Sequence, residues 1–412
     1  MSAAPAADRL VPPAAPTRGA TSYWQWVLAR VLRPTLVKLA AGYVVLLLAL
    51  AVFVPFLANS HPFTIVLAAH AGRPAVREFP LWRDLTNVDW AWLIGGTALL
   101  VYALLHWHTR DEPSLLRRRR RRLTWFLGLA ALAVISASLT AIFHHNVLDA
   151  RDYRAMIRHH EASGAWFAPI PWGYAEMEPL QRNLTNQLPS RRHWLGTDSE
   201  GRDELARLLW SARVAMEIGF VSQVVAITLG LLFGAPMGYF VGVVDILGMR
   251  VLEIVESIPT FFLILTFIAI YGRNLLVIML IIGATSWTGI ARFIRAEFLR
   301  IRQLDYVTAA TAAGLPLHRV LFRHMLPNGI TPIIILASFG IAGAIMSESG
   351  LSFLGVGVPP PTPSWGEMLN AAGQPGVMFR WWQALGPGGL LFLTVLAFNL
   401  IGQSLRDAIN PQ

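Results

Sequence analysis

The chain has 412 residues, of which 55% are hydrophobic and only 14% are charged, and its formal net charge is +10 at pH 7. Soluble domains carry about 25% charged residues, so the composition excludes an ordinary soluble protein and predicts a membrane protein. The absence of cysteine excludes disulfides and thiolate metal sites. Arginine supplies nearly all the positive charge and clusters beside apolar runs, which favours membrane topology over a nucleic-acid partner.

Three long apolar runs lie in the N-terminal part of the chain, at 39–58, 90–107 and 124–143. About 20 apolar residues are enough to cross a bilayer core of roughly 30 Å. Six consecutive arginines at 117–122 separate the second run from the third, and short arginine-rich loops stay in the cytoplasm. We therefore predict a cytoplasmic tail at 1–36 and a three-helix membrane region at 37–143.

The rest of the chain alternates between polar loops and further apolar runs. A polar segment at 144–212 is expected to face outward. Five further spans are predicted at 214–242, 258–271, 274–291, 329–347 and 386–405. They form a membrane core at 213–405, whose long loop at 292–328 lies in the cytoplasm, as does a C-terminal tail at 406–412. The expected fold is all-α, a polytopic membrane protein with about eight transmembrane helices and both termini in the cytoplasm.

The segment 306–328 is too polar and too interrupted to cross a bilayer. Four alanines at 309, 310, 312 and 313 favour a helix with a smooth surface. Gly314 suits the left-handed position that ends a helix, and Pro316 suits the first turn of a second helix. Leu317, Val320, Leu321 and Met325 then form an apolar stripe, and Pro327 is expected to end that second helix. The segment is predicted to form two short, compactly packed helices between two spans. An amphipathic loop lying on anionic lipid is the alternative.

This segment resembles the loop that defines permease subunits of ABC importers. That loop has Glu-Ala-Ala, three residues, Gly, nine residues, a hydrophobic residue, one more residue and then Leu-Pro. Thr308-Ala309-Ala310, Gly314, His324 and Leu326-Pro327 stand at this spacing. The ending at 324–328 is the variant of the dipeptide/oligopeptide/nickel branch. The segments 193–213, 234–259 and 349–369 are also similar to the C-type subunit of that branch, so the resemblance covers about 190–412.

The resemblance implies a fold, partners and a site. The fold would be a type I ABC importer permease core in a bacterial inner membrane, with an extra N-terminal helical hairpin. The partners would be a second permease subunit, two ABC ATPase subunits, an extracytoplasmic solute-binding protein and membrane lipid. The substrate class would be peptides, with nickel chelates and antibiotic peptides as alternatives. The ATPase-docking residues would be Thr308, Ala309, Ala310, Gly314, Arg319, Arg323, His324, Leu326 and Pro327.

Two features depart from the family's pattern. Thr308 stands where the family has glutamate, so a carboxylate contact to the ATPase is missing or is supplied elsewhere. The first 190 residues also contain two spans more than the usual single one. The hairpin at 90–143 could regulate, bind another subunit or simply pack on the core.

The chain itself lacks the residues for ATP hydrolysis. A P-loop needs G-x-x-x-x-G-K-[ST], and the sole lysine, Lys38, follows LRPTLV, which contains no glycine. ATP and Mg²⁺ are therefore expected on partner subunits, with no cofactor, metal or catalytic residue in this chain. A proton- or ion-coupled secondary transporter is the competing function. It would need ionisable residues at mid-bilayer, whereas Glu253, Glu256 and Glu348 lie near span edges, where the sequence leaves burial and solvation equally open.

An outer-loop motif precedes the predicted core. It comprises Gly196, Thr197, Asp198, Gly201, Arg202 and Asp203. The charged side chains could pair with one another or meet the binding protein. Pairing within the chain is the favoured expectation.

Overall fold

The computed structural model describes residues 23–68, 76–108, 121, 124–126, 128–129, 149, 151–177, 185–373 and 380–409. The elements before the membrane core are α1 (Tyr23–Val31), α2 (Thr35–Leu57), β1 (Thr64–Leu67), β2 (Val76–Glu78), α3 (Pro80–Asp84), α4 (Asn87–His108), α5 (Tyr153–Arg158) and β3 (Ala162–Trp166). Those that follow are α6 (Glu204–Phe240), α7 (Val243–Ser257), α8 (Thr260–Tyr271), α9 (Leu275–Arg302), α10 (Asp305–Ala312), α11 (Leu317–Arg319), a π-helix (Val320–Met325), α12 (Leu326–Phe353), α13 (Trp365–Ala372) and α14 (Trp381–Ile409).

Helices α6 and α9 pack against each other along a row of glycines. Gly230, Gly234 and Gly238 recur every four residues, so they share one face of α6. A Cβ atom at Gly234 would lie 2.4 Å from the backbone oxygen of Ala291, and one at Gly238 would lie 2.5 Å from that of Arg295. The glycines therefore allow the two backbones to touch, as small residues do between membrane helices. Contact positions rise together along both helices, which therefore run parallel.

Parallel α6 and α9 require the intervening chain to return across the bundle. α8 has 12 residues, and at 1.5 Å per residue it reaches only about 18 Å, short of a bilayer core of roughly 30 Å. α7 precedes it at a bend of 80°. The parallel course favours α7 and α8 together as one broken span. The span predicted at 258–271 therefore corresponds to α8 with its extension in α7.

The remaining long helices surround this pair. α12 runs antiparallel to α6, since Gly219 packs on Ile345 while Gln223 packs on Gly340. α14 runs antiparallel to α2, since the Tyr43 hydroxyl donates to the Leu390 oxygen at 3.1 Å while Ser404 contacts Val31, just before α2. In the described residues, six helices are long and apolar enough to cross a membrane, and the bent pair is a seventh candidate. The predicted polytopic helical fold is confirmed, and the predicted span at 124–143 lies largely outside the described residues.

A small antiparallel sheet, ordered β2-β1-β3, sits at one end of the bundle. β1 pairs with β3 through Thr64 opposite Trp166 and Leu67 opposite Ala162. The Trp210 indole of α6 donates to the Ala58 oxygen at 2.9 Å, which joins the end of α2 to the start of α6. We call this the sheet end, and the opposite end, which carries residues 303–325, the loop end. The sequence had not indicated these strands.

Candidate functional site

The segment predicted to dock a partner forms two short helices around a glycine. α10 ends at Ala312, and Gly314 takes a φ of +72°. The Leu315 N–H donates to the Ala310 oxygen at 3.2 Å, and the Gly314 N–H donates to the Thr311 oxygen at 3.0 Å. These are the two bonds of a Schellman cap. The predicted helix–glycine–helix geometry is confirmed, with Pro316 as the N-cap of α11.

The inner side of the loop is fixed to the ends of two long helices. Val307, Val320 and Met325 are buried in one cluster with Phe298 and Ile301 of α9. Ala310 is also buried, so this alanine packs against the protein itself. The loop is therefore held as a rigid body between α9 and α12.

The outer side of the loop is open to a partner. Thr308, Ala309, Gly314, Arg319, Arg323 and Pro327 are exposed, whereas His324 and Leu326 are half-buried. The Phe322 side chain is 68% exposed, and the sequence reasoning had not selected it. Phe322 stands beside Arg323 and outside the apolar stripe, and this position in the sequence could have indicated that its side chain is exposed. The Thr308 hydroxyl bonds to the Leu304 oxygen of its own helix at 3.3 Å, so it does not reach outward as a glutamate would.

The prediction that Pro327 ends the second helix is wrong. The helical path continues from the π-helix at Val320–Met325 directly into α12, where Pro327 occupies the first turn. In this wider turn the Leu326 N–H donates to the oxygen of Leu321, five residues back. A proline ring clashes with the carbonyl four residues earlier in an α-helix, and the π turn moves that carbonyl away. The Asn328 side-chain amide donates to the His324 oxygen at 2.7 Å.

Charge at the loop end is partly paired and partly open. Arg295 of α9 makes a two-bond contact with Asp245 of α7, with one N···O distance of 2.7 Å. Arg292 binds Glu256 at 2.5 Å. In the part of the chain that the structure describes, Arg319 and Arg323 form no salt bridge. These two guanidinium groups are available to a negatively charged surface.

The outer-loop motif folds into a buried ion network at the sheet end. Asp198 accepts from the Arg202 side chain at 2.7 Å and from the Arg202 N–H at 2.9 Å. Gly196 and Gly201 adopt φ angles of +76° and +80°, which shape the turn around this pair. The buried Thr197 hydroxyl accepts from the Gln187 N–H at 2.9 Å. The favoured expectation of pairing within the chain agrees with this contact.

Residues outside the motif complete the network. Asp203 caps α6 by accepting from the Ala206 N–H at 2.7 Å, and its other oxygen meets His193 at 2.8 Å. Arg207 binds Glu367 of α13 at 2.5 Å. Sequence reasoning missed Glu367, although Ser364 and Glu367 have the spacing of a helix N-terminal capping pair. The network joins the start of α6 to α13. The motif therefore has a structural role within the chain.

The three acids near predicted span edges have different surroundings. The side chain of Glu253 is 48% exposed beside Arg250, and Glu256 pairs with Arg292. Glu348 is only 1% exposed, and the Ser352 hydroxyl donates to it at 2.6 Å. Glu348 is therefore buried with a hydroxyl partner, whereas Glu253 and Glu256 lie at a solvated surface.

The extra N-terminal helix α4 contacts the core through two polar pairs. The Trp92 indole donates to Glu217 of α6 at 2.6 Å. One turn earlier on α6, Arg213 pairs with Asp89. Both contacts lie near the start of α4; the Asp89–Arg213 pair is buried, and the Trp92–Glu217 contact is partly buried. Packing on the core is therefore one role of this helix.

Comparison with known proteins places these features in a family. The family described as "binding-protein-dependent transport system inner membrane component" matches residues 226–412. A putative peptide permease protein of Brucella suis is 40% identical over 228 residues, covering 55% of this chain and 76% of the relative. An oligopeptide transport system permease protein of Haemophilus influenzae is 34% identical, covering 60% and 78%. A dipeptide transport system permease protein of Alkalihalophilus pseudofirmus is 36% identical, covering 60% and 81%.

Proposed function

Because the chain belongs to the family of binding-protein-dependent transport system inner membrane components, we propose that it carries peptides inward as one permease subunit of an ABC importer. It is a multi-pass inner membrane protein that works with an ATPase and a binding protein. We infer a second permease subunit and two ATPase subunits as the full assembly. Peptides are the substrate class because the similar proteins are named as peptide, oligopeptide and dipeptide permeases.

The observation that carries the mechanism is the rigid, one-sided loop between α9 and α12. Its buried face is part of the bundle, through Val307 and Val320, so a push on the exposed face moves both long helices together. ATP can shift the permease between two states only if the ATPase binds one state better than the other. A fixed contact surface meets that requirement, whereas a mobile loop would absorb the motion. We therefore assign ATPase docking to the exposed residues of 303–328.

The orientation of the chain follows from its charges. The loop end carries Arg292, Arg295, Arg300, Arg302, Arg319 and Arg323. The start of α2 and the end of α14 lie at the same end, since the Ser404 hydroxyl donates to the Val31 oxygen at 2.8 Å. Short segments rich in arginine stay in the cytoplasm. We place the loop end and both termini in the cytoplasm, and the sheet end outside.

A carboxylate for the ATPase contact is available one turn before Thr308. Asp305 is exposed and stands three residues earlier in α10, so the two side chains share a helix face. It forms no salt bridge within the described residues. We assign to Asp305 the role that the family gives to glutamate at position 308. Asp305→Asn should then weaken docking, and Asp305→Asn with Thr308→Glu should restore it.

The docking role is tested by a charge placed on the exposed face. Ala309→Arg should abolish co-purification with the ATPase and ATP-driven uptake, while the thermal stability of the chain stays unchanged. Ser199→Arg is the matched control, because Ser199 is exposed at the opposite end. Full complex formation and full uptake by Ala309→Arg would overturn the docking assignment.

The substrate class is tested by uptake in proteoliposomes that contain the whole importer and its binding protein. Accumulation of a labelled oligopeptide that depends on ATP supports peptide import. Accumulation of a nickel chelate without any peptide uptake would show that nickel chelates, and not peptides, are the substrate class. Uptake driven by an ion gradient without ATP would remove the ABC mechanism altogether.

A further inference from the structure

A cavity of about 630 Å³ lies at the sheet end, between the extra N-terminal helices and the core. Its walls come from the end of α2, the start of α4, one face of α6 and the loops at 173–176 and 362–363. Binding pockets for small molecules measure about 300–1,000 Å³. The cavity is therefore large enough for a ligand of a few amino acids.

The charged groups on its walls are mostly negative. Five acidic residues and one arginine, Arg213, line the cavity; the acids are Asp84, Asp89, Asp149, Glu176 and Glu217. The formal balance is five negative charges against one positive, or −4. His61, Arg151 and Arg154 pair with Asp84, Asp149 and Glu176 from behind the wall, so the balance falls from −4 to −1 when His61 is charged and remains negative. A ligand with a positive group is favoured there.

Arg213 adds a second and independent requirement. Its side chain is only 4% exposed. One terminal nitrogen is paired with Asp89, but the Nε and the other terminal nitrogen have no hydrogen-bond partner among the described residues. The rings of Trp210 and Trp92 flank the guanidinium at 5.3 Å and 5.8 Å. Buried donors left unpaired are unfavourable, so an acceptor oxygen that reaches these nitrogens stabilises the site.

A metal ion does not satisfy both requirements. Within the described residues, no group of three or more His, Cys, Asp or Glu side chains is arranged to hold a metal. A bare cation also offers no acceptor to Arg213. A larger ligand that carries an ammonium group and a carbonyl or carboxylate oxygen meets both conditions. The first residue of a peptide with a free amino terminus has this chemistry.

We propose that this cavity binds the free amino-terminal end of a peptide, with the ammonium group among the carboxylates and the neighbouring carbonyl oxygen on Arg213. The choice of a peptide rests on the proposed function, whereas the charge pattern does not. The extra N-terminal region thus forms one wall of a peptide site on the outer side. Glu176 and Asp84 contact the ammonium group, and Arg213 orients the chain.

The test measures binding to the permease assembly in nanodiscs, without its binding protein, by isothermal titration calorimetry. Trialanine is the probe, and N-acetyl-trialanine is its matched control without the positive charge. Loss of one charge-assisted hydrogen bond corresponds to about tenfold or more in affinity. Trialanine should bind at least about tenfold more tightly than the acetylated peptide. Equal affinities would overturn the proposal.

Two variants locate the binding without removing the buried Arg213. Ala175→Phe fills the cavity from its exposed rim, and Glu176→Gln removes one carboxylate. Both should weaken trialanine binding by about tenfold or more. Glu253→Gln, an exposed acid at the loop end, should leave binding unchanged. Thermal unfolding of each variant shows that the fold is intact, and unchanged affinity in both cavity variants would refute the site.

Uptake measurements separate this proposal from the proposed function. If proteoliposomes import peptides but the cavity variants bind trialanine normally, the cavity proposal fails and the function stands. If trialanine binds in the cavity but no peptide is imported, the function fails and the binding site stands.

Discussion

Asp89, in the first turn of α4, and Arg213, on α6, form a buried ion pair between positions 124 residues apart. Their side chains are only 5% and 4% exposed. The Asp89 carboxylate also accepts from the Thr86 N–H at 2.7 Å, so it closes the start of α4 at the same time. One side chain therefore both begins the extra helix and attaches it to the membrane core.

Replacing Asp89 by alanine should destabilise the chain strongly. Arg213 would remain buried without its paired carboxylate, and removal of one partner of a buried pair costs about 3–5 kcal/mol. Thermal or denaturant unfolding of the purified chain in detergent measures the loss. The exposed pair Arg250–Glu253 is the control, and Glu253→Ala should change stability by less than about 1 kcal/mol. Similar losses of stability for both variants would show that the buried pair contributes no more to stability than the exposed pair.

Two glycines with similar backbone angles should respond differently to alanine. Gly196 and Gly314 have φ angles of +76° and +72°, so alanine strains the backbone at both by about 1–2 kcal/mol. A Cβ atom at Gly196 would also lie 2.2 Å from the Gln187 oxygen, whereas one at Gly314 meets nothing within 4 Å. Gly196→Ala should therefore lower the melting temperature far more than Gly314→Ala. Equal shifts would contradict the steric part of this explanation.

The sequence was sufficient for features that depend on local chemistry. The apolar runs located the long helices, and Gly314 with Pro316 located the two helices of the loop, because each signal lies within a few residues of its effect. The sheet was missed because Thr64 pairs with Trp166 across about a hundred residues of chain. Short strands of three to five residues also show too little alternation to be recognised.

The polar contacts of the site were predictable only in part. Asp198 and Arg202 are four residues apart, so their pairing was open to sequence reasoning. Glu367 and Asp89 find their partners only when distant helices meet. The π-helix was missed for another reason. The steric clash of the Pro327 ring is relieved by a wider turn before it, and a proline in the sequence alone does not show whether a helix ends there or forms such a turn.

His61 should make the sheet end sensitive to pH. Its Nδ1 lies 3.2 Å from the Asp84 carboxylate, and its Nε2 lies 3.0 Å from the backbone oxygen of Asp149, so both nitrogens face acceptors. Burial lowers the pKa of His61, but Asp84 and Asp149 outweigh it, and the pKa lies above its usual value of 6.5. The stabilisation by the charged imidazole is complete below the unfolded-state pKa and is lost as pH rises through the folded-state pKa.

Hydrogen exchange of β1 measures this loss. The backbone amides of Thr64–Leu67 should exchange faster, relative to the intrinsic rate, as the pH rises from about 6 to about 9. His61→Gln keeps a polar side chain but cannot become charged, so its protection should not change over the same range. A pH step that persists in the variant would assign the effect to another group.

Pro327→Ala should separate ATP hydrolysis from transport. Alanine restores an N–H group and removes the ring that excludes the carbonyl four residues earlier. The π turn at Val320–Met325 then loses its cause, and π turns are less stable than α-helix. We expect the turn to revert to an α-helix, which rotates the exposed face of the loop relative to α12 by about 100° for one residue.

The measurement compares ATP hydrolysis with peptide uptake in the same proteoliposomes. Pro327→Ala should keep ATPase activity but lose most uptake, because the rotated surface no longer passes the motion to α12. Pro332→Ala is the matched control, since Pro332 lies inside α12 and no π turn immediately precedes it. Its uptake should stay close to that of the unaltered chain. If both variants transport normally, the register set by the π turn is not needed for coupling.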